Sequence, residues 1–124
     1  EQNVIVECFS HNDLMTILDL DGNLKYNVYG PDWDNEVSNR RDFFNDVLIA
    51  GDKIIAITSL GGSHSSKEAL TTTLFVFDLR GKYLQTLEIG YDIEGFCYDK
   101  DNNRLIFCFN DEIQYGYLDL KGLI

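Results

Sequence analysis

The side chains best equipped for chemistry in this chain are its carboxylates, a single tryptophan and two histidines, mostly gathered in polar stretches between apolar runs. Asp32, Trp33, Asp34 and Glu36 lie together, and Arg40 and Arg41 close the same stretch. An indole exposed among carboxylates can stack on a sugar or on a cationic group. The competing use is burial: Trp33 folds back to plug the gap between two layers, and the arginines simply neutralise neighbouring acids. Three spaced sets, Asp32-x-Asp34-x-Glu36, Asp19-x-Asp21-x-Asn23 and Asp99-x-Asp101-x-Asn103, copy the opening of a calcium-binding loop. None has Gly at the sixth place or Glu at the twelfth, so none can wrap the ion as that loop does. The last two sets are accounted for as turns whose side-chain oxygens cap local N–H groups. That leaves Asp32 and Asp34 as the place for a structural cation, if there is one.

Nucleophilic chemistry is thinly provided for. His11 and His64 each adjoin serine, but a Ser–His–acid triad needs members locked in hydrogen-bond geometry, and nothing local holds Ser63, Ser65 or Ser66. Two histidines fall short of a three-ligand zinc site unless carboxylates join them. Gly61-Gly62-Ser63 lacks the lysine and following helix of a phosphate loop. The three cysteines, Cys8, Cys97 and Cys108, are too few for a disulfide scaffold. Cys97 and Cys108 flank one hairpin, directly opposite if its turn is Asn102-Asn103 and diagonal if the turn is longer. A directly opposed pair bridges only with strain, so two thiols are expected, with Cys8 packed as a small apolar residue.

Positioning these groups falls to β-strands. The chain has 124 residues, 44% of them apolar and 13% aromatic, with one Pro. That is one domain rich in strand formers. The net charge of −11 repels phosphate backbones and anionic membranes, so nucleic acid is excluded as a partner. No apolar run approaches the length of a transmembrane segment. The start, Glu1-Gln2-Asn3, has neither basic residues nor an apolar leader, which suggests removed targeting or a piece of a longer protein.

One phrase recurs three times: Leu18-Asp19-Leu20-Asp21-Gly22, Phe77-Asp78-Leu79-Arg80-Gly81 and Leu118-Asp119-Leu120-Lys121-Gly122. Each follows a strand-like run, and its Gly suits a turn needing φ > 0. Asp78 and Asp119 are 41 residues apart and Asp19 and Asp78 are 59 apart, the periods of a propeller or solenoid. The excess falls in two stretches, Pro31–Asp42 and Leu60–Thr71. They read as loops grown on a fixed frame. Expected strands are Val4–Phe9, Leu14–Leu20, Leu24–Tyr29, Phe43–Ala50, Lys53–Thr58, Thr73–Leu79, Tyr83–Ile89, Ile93–Asp99, Arg104–Phe109 and Ile113–Leu120. Ile54–Ile57 and Leu105–Phe109 are apolar at every position, which predicts burial on both faces between neighbouring sheets.

The strings Tyr29-Gly30-Pro31-Asp32-Trp33, Phe43-Phe44-Asn45-Asp46-Val47, Gly51-Asp52-Lys53-Ile54-Ile55-Ala56 and Leu74-Phe75-Val76-Phe77-Asp78 with Gly81 carry a family resemblance. Together with the Ile93–Asp99 and Arg104–Phe109 hairpin, they resemble the TolB-like six-bladed β-propeller family of bacterial proteins. The resemblance implies an all-β fold, a β-propeller segment of about three four-stranded antiparallel blades (residues 1–30, 43–89 and 93–124) in one partial domain, about half a ring. It also implies an exported, extracytoplasmic protein. A cut arc exposes apolar sheet faces, so self-association or the missing half of a propeller is the expected partner.

The propeller geometry puts both long loops on one face, opposite the Asp-Leu-x-Gly turns. Binding residues concentrate on loops held by a rigid frame. The candidate ligand-binding set is therefore Asp32, Trp33, Asp34, Arg40, Arg41, His64, Tyr91 and Asp92, with a protein, small molecule or glycan as ligand. The expected function is a non-catalytic binding or assembly module without a cofactor. The rival reading is a propeller hydrolase or lactonase whose divalent cation is held by channel carboxylates, with Asp46 and Glu94, and Asp92 beside them, as candidates.

Overall fold

Alternation of apolar residues, punctuated by Asp, Asn and Gly, produces a chain of antiparallel hairpins. The computed structural model describes residues 3–9, 14–30, 41–63 and 71–123. Among them the ten strands are β1 (Ile5–Cys8), β2 (Leu14–Leu18), β3 (Leu24–Tyr29), β4 (Arg41–Ala50), β5 (Lys53–Ser63), β6 (Thr73–Asp78), β7 (Tyr83–Glu88), β8 (Ile93–Asp99), β9 (Arg104–Phe109) and β10 (Tyr115–Asp119). They form a first sheet β1-β2-β3, a middle sheet β4-β5-β6-β7 and a last sheet β10-β9-β8. Every strand pairs only with its neighbour along the chain, always antiparallel. The architecture is all-β, but only the middle sheet has four strands; among the described residues the first and last have three each.

The three Asp-Leu-x-Gly phrases fold alike. Asp19 Oδ1 accepts from the N–H of Asp21 and of Asn23, both at 2.9 Å, while Asp78 Oδ1 accepts from Arg80 at 2.8 Å and Lys82 at 3.0 Å. The Lys121 N–H reaches Asp119 Oδ1 at 3.1 Å. Gly22, Gly81 and Gly122 all take positive φ, at 87°, 86° and 76°. Gly thus closes a three-residue loop in the left-handed region, where other residues carry a steric cost. The first two turns even share a register slip just before the Asp, between Ile17 and Leu18 and between Val76 and Phe77.

The sheets stack face to face in chain order. Met15 and Ile17 of the first sheet are buried against Phe44, Ile54, Ala56 and Phe77 of the middle one. The opposite face of the middle sheet, with Ala50, Ile55, Ile57 and Leu74, is buried against Leu105, Phe107, Phe109 and Leu120 of the last. Ile54, Ile55, Ala56 and Ile57 are therefore buried on both faces, as their continuous apolar run predicts. The matching run in β9 behaves differently. Leu105, Phe107 and Phe109 are buried, while Ile106 faces outward on the open side of the last sheet. An apolar run reports the side chains, not whether a neighbour is there to cover them.

Two expected loops are shorter than the sequence suggests. Arg41 and Asp42 belong to β4, pairing with Ser63 and Gly62, so β5 runs on past Thr58. The pairing slips on either side of Phe44, which kinks the hairpin where the extension begins.

The turn between β8 and β9 spans Lys100–Asn103, with Asp99 opposite Arg104, and Asn103 takes φ 49°. Cys97 faces Ile106, and Cys108 faces Gly95. The two thiols are consequently diagonal neighbours on the open face, and all three cysteines are free.

Candidate functional site

The meander sorts the connections to two ends. One end holds the tight turns after β2, β4, β6, β8 and β10; the other holds the links after β1, β3, β5, β7 and β9. Tyr91 and Asp92 lie on the link end, in the connection between β7 and β8.

Asp92 is built into the frame. Its Oδ1 accepts from the Thr71 N–H at 3.1 Å and lies 2.9 Å from the Thr71 hydroxyl, which also sits 2.8 Å from the Ile93 carbonyl. The Ile93 N–H donates to the Thr71 carbonyl at 2.8 Å, and the Asn110 N–H donates to the Asp92 carbonyl at 2.9 Å. One residue thereby ties the start of β6, the β7–β8 link and the β9–β10 link together. Thr71 is buried, so its hydroxyl needs such a partner.

Beside this knot the edges of the middle and last sheets leave a groove of about 310 Å³, lined by Glu88, Tyr91, Phe107, Phe109, Ile113 and Tyr117 among others. Its floor is aromatic. The Tyr91 ring is 5.4 Å from that of Phe109, which lies 5.5 Å from Phe107 in a near-parallel stack. Gly116 makes room for the floor: a Cβ there would stand 3.0 Å from the Phe109 ring. Any larger side chain would displace that ring.

Glu88 stands at the rim. Its Oε2 accepts from the Thr73 hydroxyl at 2.7 Å and its Oε1 from the Gly90 N–H at 3.2 Å. The Thr73 hydroxyl foremost, with the Gly90 N–H adding, holds its carboxyl below the usual glutamate range. The groove thus pairs aromatic surface with a fixed negative charge. Sequence reasoning missed Glu88. It is one of 21 acids, and only strand pairing sets it opposite Thr73.

The other candidates are spread more widely. Asp32, Trp33, Asp34, Arg40 and His64 lie outside the described residues, and Arg41 begins β4 opposite Ser63. Asp46 lines a second cleft, of about 420 Å³, with Glu7, Cys8, Phe44 and Asn45 where β1 meets β4. Burial there, reinforced by the charge of Asp46, pushes the Cys8 thiol up to about 12, so it stays protonated and packs as a small apolar group. Glu94 lies elsewhere, with Oε2 3.9 Å from the Cys108 sulfur. Asp46 and Glu94 therefore have different neighbours. Among the described residues no group of three or more His, Cys, Asp or Glu side chains is placed to hold a metal ion. Nor is any helix long and apolar enough to cross a membrane.

No protein-family model matches the chain, and no curated protein matches it.

Proposed function

We propose that this chain is a three-blade β-propeller segment, of the TolB-like kind, serving as a non-catalytic binding module of an exported bacterial protein. The stacking of the middle sheet between two antiparallel neighbours supports the propeller reading, since successive blades pack in that way. The observation that carries the binding reading is the aromatic groove on the link end with the Glu88 carboxylate at its rim. Its stacked rings offer an apolar platform, and the carboxylate adds attraction for a cation. The ligand it fits is a small molecule, or one side chain of a larger partner, with a flat apolar body and a cationic head.

Phenyltrimethylammonium and benzenesulfonate are matched probes of opposite charge. Titration of each, followed by NMR shifts of Ile113 and Tyr91, should show saturable binding of the cation alone. That binding should weaken at least about tenfold in Tyr91→Ala and in Glu88→Gln. Equal response to both probes, or none at Ile113, would sink the reading. If instead the protein takes up a divalent cation that Asp46→Asn and Glu94→Gln together abolish, the metal-dependent hydrolase becomes the better account.

A further inference from the structure

The strand registers set the three sheets in correspondence. Ile5 pairs with Leu18, Ile54 with Phe77 and Leu105 with Leu118, each pair just ahead of its Asp. One step on, Val6 pairs with Ile17, Ile55 with Val76 and Ile106 with Tyr117; two further on, Cys8 pairs with Met15, Ile57 with Leu74 and Cys108 with Tyr115. The first set of positions lies on what can be called the leading face of each sheet. The other two sets lie on the trailing face.

The same interface is then used twice inside the chain. The trailing face of the first sheet packs on the leading face of the middle one, and the trailing face of the middle sheet packs on the leading face of the last. Where a partner sheet is present most of these positions are closed, with Val6, Cys8 and Leu118 half-buried. Ile17, Ile54, Ile55, Leu74, Val76 and Leu105 are all 0% exposed.

Among the described residues two sheet faces have no partner sheet, and they carry corresponding positions open. On the trailing face of the last sheet Tyr115 is 71% exposed, Tyr117 66% and Ile106 36%. On the leading side of the first sheet Leu20 is 62% exposed, whereas its counterpart Leu120 is 2% exposed and Leu79 packs into the core. These are not two unrelated apolar patches. They are the two complementary halves of an interface that the chain already makes twice.

From this correspondence we infer that the chain associates head to tail with a second copy of itself, the trailing face of the last sheet receiving the leading face of the first. The contact is heterologous, as the two internal ones are, so repeating it closes a ring or extends a stack according to the rotation per copy. The residue types suit a surface that is wet before assembly and dry afterwards. Tyrosine buries a large apolar ring while keeping a polar tip, and it is enriched at interfaces. The Arg104 guanidinium, 4.8 Å from the centre of the Tyr117 ring and 3.0 Å from Asp99 Oδ2 through its Nε, steadies that ring in place. This inference does not depend on what the link-end groove binds.

The test is the mass in solution of the parent chain and of two surface variants, Tyr115→Asp and Leu20→Asp, each first checked for parent-like circular dichroism and melting. The parent should grow in mass with concentration. With a net charge of −11 on each copy, its assembly should also strengthen as salt is raised. Each variant alone should weaken association at least about tenfold. An equimolar mixture should form a 1:1 heterodimer and nothing larger, because each variant keeps the half that the other has lost. A parent that stays monomeric at every concentration and salt overturns the inference. So does a Leu20→Asp variant that assembles like the parent, since the last sheets would then be pairing with each other. A mixture that stays monomeric likewise overturns it.

Discussion

The two ends of the sheet stack follow different rules. At the turn end the same phrase is folded three times, with the Asp carboxylate capping the following N–H groups and Gly at positive φ. At the link end the described β7–β8 and β9–β10 connections differ from each other, and long-range bonds join the local ones, as where Asp92 meets Thr71. Turns that satisfy themselves can repeat anywhere along the chain, whereas links held by distant partners are individual. The repeating end carries the frame, and the varied end carries the groove.

Several substitutions would break or sharpen that contrast. The largest effect is expected within the turn end itself. Gly81 has φ 86°, and a Cβ there would collide with the Val28 side chain of the first sheet, whereas nothing lies within 4 Å of a Cβ at Gly22 or Gly122. Gly81→Ala should cost about 3 kcal/mol in urea unfolding, combining the left-handed backbone with overpacking. Gly22→Ala and Gly122→Ala should cost only about 1 kcal/mol, the backbone part alone. Equal losses at all three would mean that the repeated turns are independent of sheet stacking.

At the link end, Thr71→Val removes a buried hydroxyl and leaves the Asp92 carboxylate short of a donor. A loss of about 1–2 kcal/mol is expected in the same measurement. Tyr91→Ala should cost about 1 kcal/mol or less, the value of one partly exposed ring contact, while weakening the response to the cationic probe at least about tenfold. A large stability loss there would make the groove a structural seam.

Acid offers a gentler probe of both ends. Asp19 and Asp78 are held below the usual aspartate range, chiefly by the N–H groups of Asn23 and Lys82, and Glu88 is lowered chiefly by the Thr73 hydroxyl. A carboxylate with a depressed folded-state pKa contributes stability that is fully present above its unfolded value, about pH 4, and is lost as pH falls through the folded value. Denaturation midpoints should accordingly decline below about pH 4. Asp78→Asn, already neutral, should flatten that decline. An unchanged acid profile in Asp78→Asn would show that the cap does not distinguish the two protonation states.

Much of the frame was legible in the sequence because it is local. Alternation and Asp-Leu-x-Gly turns place nine of the ten strands within two residues at each end; the exception is β5, which runs on to Ser63 instead of ending at Thr58. What failed shows why. Arg41-Asp42 and Gly61-Gly62-Ser63 look like loop chemistry, yet they pair with each other across the hairpin. Backbone pairing needs no apolar signal. The Lys100–Asn103 turn offered several polar registers, and only the pairing of Asp99 with Arg104 selects the one that sets Cys97 and Cys108 diagonally. At the site, Tyr91 and Asp92 were visible as link residues. Glu88 and Thr71 were not, since their roles come from partners 15 and 21 residues away.

One consequence of the strictly sequential strand pairing concerns how the fold comes apart. Among the described residues every hydrogen-bonded ladder joins strands adjacent along the chain, and one sheet meets the next mainly through side-chain packing, with a few bonds such as those of Thr71 to Asp92 and Ile93. The protein is thus a short linear array of three units coupled by nearest-neighbour contacts, in the manner of repeat proteins. Such an array frays from its ends. Amide hydrogens of β5 and β6, covered on both sides, should exchange through the rarest openings, and those of β1 and β10 through the most frequent. The middle sheet would then be the last to melt and the surface on which either neighbour reforms.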